Sequence, residues 1–381
     1  MYDTNMTLII TENMASLLEF LPFYHTYTVK YHVHMYSFGM LILLFLLLII
    51  PPTQADPSFL CLPKNGSIWH GAFPPVYYHL NEMQISNESI ESYIQSSGKS
   101  VAVVAFSHEW SVNRSFPTEQ VQAIHAHRAI PYIRLMLRSD NRHYRPEPVF
   151  TLRQIYDGVY DRDLILFARE AKKLDYPILI EYGTEVNGWW FSWNGYWTGK
   201  EKGAILFRSV YRHIVTLMRT EGADNLFWVY HINWHSNPEE NWNTPEAYYP
   251  GDEYIDIIGI SAYGALSPTD QNVLPFSFMI DEGYSQAQNI SSEKPVLISE
   301  TGTDLHNPSA PAPLWITDAF SALIHENRWP RIIGFVWWNA AWPNDTNNKN
   351  NTTMRIEENQ DVQAIFKEFL SSDTVLGNYC P

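Results

Sequence analysis

Pro177-Ile-Leu-Ile-Glu-Tyr-Gly-Thr-Glu185-Val-Asn-Gly-Trp-Trp-Phe-Ser-Trp193 is a short apolar run that stops abruptly at a carboxylate and opens into asparagine, glycine and a burst of tryptophan. Pro295-Val-Leu-Ile-Ser-Glu300-Thr-Gly has the same form. Neither run alternates apolar and polar residues, the pattern of a strand covered on both faces in a parallel sheet. Six similar runs surround them, so strands are expected at 66–72, 100–107, 130–136, 176–181, 225–231, 254–260, 294–299 and 331–337. Helical periodicity fills intervals at 161–173, 203–220 and 313–327. Eight buried strands with helical crossovers predict a (β/α)8 TIM barrel. An open doubly wound sheet would want a glycine-rich phosphate loop after an early strand, and the sequence has none. Residues 344–353 are almost wholly polar and are expected to form a mobile loop.

The first 55 residues differ from the rest. The run 40–50 is nearly pure leucine and isoleucine, ended by Pro51 and Pro52. A membrane span takes roughly 20 apolar residues, so this run fits the apolar part of a signal peptide, with Thr53-Gln-Ala55 as cleavage site. Met35 is an alternative start. An uncleaved anchor over residues 31–50 is the competing reading. The chain therefore divides into an extension, 1–55, and one catalytic-sized domain, 56–381, expected to be secreted. Seven Asn-x-Ser/Thr sites within 56–381, at Asn65, Asn87, Asn113, Asn289, Asn344, Asn350 and Asn351, agree with that route and with a glycoprotein. The chain has two cysteines, Cys61 and Cys380, at the two ends of the domain; in an oxidising compartment they are expected to form one bridge.

Composition excludes several classes. Aromatic residues make up 15 % and charged residues 17 %, the reverse of a disordered chain. The formal charge is −16; without residues 1–55 it is −14, from 24 basic and 38 acidic residues, which disfavours a nucleic-acid partner. A neutral polysaccharide meets no such penalty. Nothing in the pattern marks an obligate protein partner. Zinc-ligand and calcium-loop spacings are missing, so neither metal nor cofactor is expected. Gly-x-Ser-x-Gly is also missing, against an esterase.

Residues just past the C-terminal strand ends of a barrel face its active site. Glu185 follows the fourth strand and Glu300 ends the seventh. Two such carboxylates, about 5–5.5 Å apart, suit retaining hydrolysis of a glycosidic bond, with Glu185 as acid/base and Glu300 as nucleophile. A structural carboxylate at a loop hinge is the alternative for each. Glu181, inside the strand, is expected to pair with a base; Glu109 sits at another strand end. Trp189, Trp190, Trp193, Trp197, Trp234, Trp242, Trp337, Trp338 and Trp342 cluster after strand ends, where rings stack on sugars, although at least half are expected in the core. Tyr263 can donate to the nucleophile or simply pack. His231 ends the fifth strand and is either a cleft residue or a satisfied core histidine.

Glu185-Val-Asn-Gly-Trp-Trp-Phe-Ser-Trp193 resembles the acid/base segment of glycoside hydrolase family 26, the family of endo-β-1,4-mannanases. The stretches 211–215, 221–233 and 254–260 resemble its following helix, fifth strand and sixth strand. The resemblance runs from about Gly66 to Trp342. It implies a retaining barrel enzyme with Glu185 as acid/base and Glu300 as nucleophile. It also implies Trp190 and Tyr263 near the cleaved sugar, and Trp337 and Trp338 in the floor. Trp193 and His231 complete the expected substrate-binding set. Known mannanases of the family place His directly before the acid and Arg four residues before it; Thr184 and Glu181 stand there here, as in a divergent branch. Mannan is the first substrate in view, with mixed-linkage β-glucan and β-1,3-xylan as alternatives, and a non-catalytic carbohydrate-binding barrel as another class.

Overall fold

The computed structural model describes residues 60–64, 66–74 and 84–380. The extension 1–55 and Asn65 lie outside those residues. Eight strands form the frame: β1 (Ile68–Phe73), β2 (Val103–Glu109), β3 (Ile130–Met136), β4 (Ile178–Tyr182), β5 (Leu226–Asn233), β6 (Ile257–Tyr263), β7 (Val296–Gly302) and β8 (Ile332–Trp338). Each pairs parallel with the next, and β8 pairs parallel with β1, from Trp69 opposite Gly334 to Phe73 opposite Trp338. The sheet therefore closes, and the expected (β/α)8 barrel is borne out. All eight expected strands exist, and that at 130–136 has the expected bounds.

Alternation sorts the strand residues between two cores. Outward residues meet the helices. Tyr182 stacks on Phe207, and Trp228 and Tyr230 meet Tyr211 edge-on. Phe207 and Tyr211 belong to the helix Glu201–Thr220, whose buried Phe207, Val210, Tyr211, Ile214, Val215 and Met218 recur at three- and four-residue spacing. Inward residues fill the barrel, and toward its C-terminal end they turn polar.

The sequence pattern missed several helices, among them Asn87–Ser97, Phe276–Ile290 and Gln360–Leu370. The first has a mixed Ser/Glu face, yet it is well delimited: Ser86 caps it by accepting from Ser89 N–H, and Gly98 ends it at φ 74°. The polar run 344–353, expected as a mobile loop, is exposed over 344–349 and tethered at its end. The short strands β9 (Ala341–Trp342) and β10 (Thr352–Thr353) pair antiparallel there. Buried Thr353 donates its N–H to Asp304 at 2.9 Å, and Thr352 Oγ1 donates to the Leu266 carbonyl. Polar composition marked exposure, but these residues tie together the loops after three strands.

A last strand, β11 (Val375–Leu376), returns to the outer edge of β1, pairing Ile68 with Val375. Just beyond both, Cys61 and Cys380 form a disulfide with a Cα–Cα distance of 5.4 Å, as expected from their positions. Among the described residues no helix is long and apolar enough to cross a membrane. The bridge closes a loop of 319 residues, so its removal frees much unfolded-state entropy. Replacing both cysteines by serine should lower unfolding free energy by up to about 5 kcal/mol, read from urea midpoints under non-reducing conditions. Equal midpoints for the two proteins would refute that role.

Candidate active site

The interior network starts from Arg134 on β3. Its Nε lies 2.9 Å from Glu300 Oε1 and 3.5 Å from Glu181 Oε1, and its Nη1 donates to Ser107 Oγ at 2.7 Å. Glu181, fully buried on β4, also accepts from Tyr132 and Thr184 and meets His231 Nδ1 at 2.7 Å. The other imidazole nitrogen of His231 is 2.6 Å from Ser261 Oγ. Burial alone would raise Glu181, but the charge and hydrogen bond of His231, with Arg134 and Thr184, hold it below the usual carboxylate range. Burial alone would lower His231, but Glu181 outweighs it and pushes the imidazole up. Glu181 thus pairs with bases, as its place inside the strand suggested. His231 has both nitrogens engaged and no exposed surface. The structure places it beneath the cleft, as a satisfied core histidine.

Glu300 reaches the interior through a break in register. Ile260 pairs with Ile298, but Ser261 pairs with Glu300, leaving Ser299 as an extra residue on β7. This β-bulge re-aims the strand, so that two consecutive side chains face inward. Ser299 Oγ lies 3.0 Å from the Tyr132 hydroxyl, whose own proton goes to Glu181, and Glu300 Oε2 accepts from Tyr263 at 2.8 Å. Gly259 opposite leaves the room: a Cβ there would stand 2.4 Å from Ser299 Oγ. Burial pushes the Glu300 carboxyl up to about 7, with Glu185 and Glu181 adding to the rise and Arg134 and His231 opposing it. Burial, then Glu300 and Glu185, push the Tyr263 hydroxyl far up, so it remains a donor. Trp338 completes the wall. It stacks on Phe73 with centroids 3.7 Å apart, meets Tyr263 edge-on, and lies 4.8 Å from the Arg134 guanidinium carbon.

Glu185 sits in the turn after β4 at φ 48°, a left-handed conformation that is costly outside glycine. The turn is fastened on every side. Trp193 Nε1 donates to the Thr184 carbonyl at 2.9 Å, and Asn194 Nδ2 to the Val186 carbonyl at 2.8 Å. Val186 N–H donates to the His231 carbonyl, while Asn187 exchanges bonds with the backbone of Asn233 at 2.8 and 2.9 Å. Trp190 Nε1 then donates to Glu185 Oε2 at 2.6 Å. Gly188 permits this: a Cβ there would stand 2.2 Å from the Trp190 ring. The Glu-x-Asn-Gly-x-Trp pattern is therefore one device for presenting a carboxylate.

Two of the tryptophans expected in the cleft lie elsewhere. Trp337 faces outward, buried, edge-on to Phe366, and donates to the Met354 carbonyl. Strand alternation explains it, since its neighbour Trp338 takes the inward side. Trp193 is buried against Phe191 and braces the Thr184 carbonyl. Glu109 is held in a two-pronged pair with Arg138, through Nε at 2.8 Å and through Nη2. Glu181, His231 and Glu300 offer ligand atoms within 4.8 Å of one another, a grouping that sequence spacing did not indicate. The donors do not fit a resident metal well: Arg134 already supplies a cation to both carboxylates, and both His231 nitrogens are engaged.

The model of glycosyl hydrolase family 26 matches residues 156–291. That match agrees with the resemblance read from the sequence. The family 26 segment holds Glu185, Trp190 and Tyr263, and ends before Glu300. Endoglucanase H of Acetivibrio thermocellus is 23 % identical over 292 residues, 76 % of this chain and 29 % of that protein. A mannan endo-1,4-beta-mannosidase of Bacillus subtilis is 32 % identical over 172 residues, 44 % of this chain and 41 % of its own. The chain thus spans less than half the length of these curated relatives. Among solved structures, an endo-beta-1,4-mannanase double mutant from Cellulomonas fimi superposes with TM-score 0.60 at 15 % identity, covering 86 % of this chain and 76 % of the other. A Bacillus subtilis mannanase gives 0.54 at 18 % identity, covering 83 % and 88 %. These low-identity likenesses support the fold.

Sequence reasoning missed Arg134, Ser107, Ser261 and the bulge at Ser299. Arg134 had a signal: a lone charge in the buried strand 130–136 must meet a counter-charge, and Glu181 was waiting for a base. The elevated Glu300 carboxyl has a consequence for stability. Its folded value, about 7, exceeds the ordinary value of 4.5, so its contribution is full below about 4.5 and lost as pH rises through about 7. Glu300→Gln should therefore gain stability on the parent between about pH 5 and 8, by an order of a few kcal/mol, in parallel urea titrations. A pH-independent difference would show that Glu300 titrates normally.

Proposed function

We propose that this protein is a secreted retaining glycoside hydrolase that cleaves a β-linked polysaccharide, β-1,4-mannan first. The observation that carries the reading is a pair of nearly buried carboxylates, one in the turn after β4 and one on β7, each gripped by one aromatic donor. Glu185, presented at the strained turn, gives a proton to the glycosidic oxygen. Glu300 attacks the anomeric carbon as that C–O bond breaks, forming a glycosyl ester. Water then gives its proton to Glu185 and its oxygen to the anomeric carbon, and Glu300 leaves as a carboxylate. Two displacements retain the configuration. Arg134 supports the charged form of Glu300, and Tyr263 orients it. Trp190 holds Glu185, and Trp338 offers a flat wall to the sugar. The exposed sequons at Asn87, Asn113, Asn289 and Asn344 agree with a secretory route.

A mixed-linkage β-glucan is the second substrate reading, favoured by one observation: the relative matching 76 % of the chain is named an endoglucanase. β-1,3-Xylan, and a barrel that binds glycans without cleaving them, remain as further outcomes of a substrate profile.

Glu300→Ala should abolish turnover, because no ester forms. Glu185→Ala should fall by about 10²–10⁴ on polysaccharide, yet keep far more activity on an aryl glycoside whose leaving group needs no proton. Azide should rescue Glu185→Ala as a β-glycosyl azide and give the opposite anomer with Glu300→Ala. Proton NMR of early products should show the retained anomer. Wild-type rates for Glu185→Ala on polysaccharide would move the acid elsewhere.

A further inference from the structure

Tyr144, Trp189 and Tyr196 form an aromatic patch that the reaction centre does not use. Tyr144 is 56 % exposed and Tyr196 46 % exposed, high values for large rings, with half-buried Trp189 between them. Both tyrosines meet Trp189 steeply, with centroids 5.1 and 5.0 Å away and interplanar angles of 68° and 62°. Trp189 also stacks on Trp197 at 6.2 Å and 12°, so the rings form one packed cluster whose exposed surface belongs mainly to the two tyrosines. The patch is also fixed in place. Trp189 N–H donates to the Asn237 carbonyl at 2.9 Å, and Trp197 Nε1 to the Trp189 carbonyl at 2.6 Å. Tyr144 is held at φ 58° while its N–H donates to the Trp190 carbonyl at 3.0 Å. A bulky residue kept in the left-handed region is strained, and here it presents a ring that stays more than half in solvent while resting against Trp189 and His143. Rigid exposed aromatics of this kind mark a binding surface.

The patch is linked to the candidate site by chain continuity. Trp190, whose indole grips Glu185, is the next residue after Trp189. Its loop follows β4, across the barrel from Glu300. We propose that Tyr144, Trp189 and Tyr196 form a remote subsite that stacks the pyranose rings of the polymer on the leaving-group side of Glu185. This rests on the proposed hydrolase reading, since it takes the side of the acid as the side of the departing chain. The recognised chemistry is the apolar face of a β-linked hexopyranose.

The test uses the Glu300→Ala protein, which binds without turnover, and titrates it calorimetrically with mannobiose and mannohexaose. Adding Trp189→Ala or Tyr196→Ala should weaken mannohexaose by about two- to tenfold each, with mannobiose unchanged and Trp189→Phe largely restoring the parent. In the otherwise native protein, the same changes should raise KM on polymer and leave the aryl glycoside rate alone. Circular dichroism checks that each variant folds, and Tyr196→Phe, which keeps the ring contacts with Trp189 and Trp197, serves as the conservative control. Equal losses for both ligand lengths, unchanged mannohexaose affinity, or no binding of either ligand by the parent would overturn the subsite. Absence of hydrolysis on every β-glycan would instead overturn the hydrolase reading, and a length-dependent binding loss would then still support the platform.

Discussion

Arg134 is the charge on which the interior depends. A buried carboxylate is tolerated only when another group offsets its lost hydration, and the barrel holds two side by side. One guanidinium serves both, 2.9 Å from Glu300 and 3.5 Å from Glu181, while His231 supplies the second positive partner. Remove Arg134 and two acids share a low-dielectric space with one imidazole between them. The aromatic wall depends on it as well, since the guanidinium lies over Trp338. The planar, forked cation suits this position in a way a lysine ammonium does not.

The second constraint is conformational. A carboxylate at the end of a parallel strand must turn back over the barrel mouth, and Glu185 does so at φ 48°. The cost is met by bonds from Trp193, Asn194 and Asn187 and by the backbone of β5. Several buried side chains with apparently unrelated tasks therefore do the same thing, which is to keep one strained turn from relaxing. The left-handed turn at Glu185 and the bulge before Glu300 are two local departures from ideal geometry, and they deliver the two acids.

Much of this was legible from residue order. Strand runs read as strands because β-branched and apolar residues without alternation have few other homes. Glu185 and Glu300 stood out because each ended such a run. The Cys61–Cys380 bridge followed from position alone. Facing directions were not legible at adjacent aromatics. Trp337 and Trp338 are equivalent as sequence, yet alternation sends one to the helices and the other to the cleft. The polar run at 344–353 looked free because its partners, Asp304 and Leu266, lie in other loops.

Sequence by itself determined the eight strands, their parallel order, the resemblance to family 26 and the two candidate acids, because these depend on local pattern and on composition. Tertiary structure decided which cation meets which acid. Arg134, Glu181, His231 and Glu300 are each about 50 or more residues from the next, and only barrel closure sets them within contact. It decided the lift of the Glu300 carboxyl to about 7, which arises from burial and from neighbours on other strands. It also decided which rings face solvent, because exposure belongs to the packed chain and not to the residue.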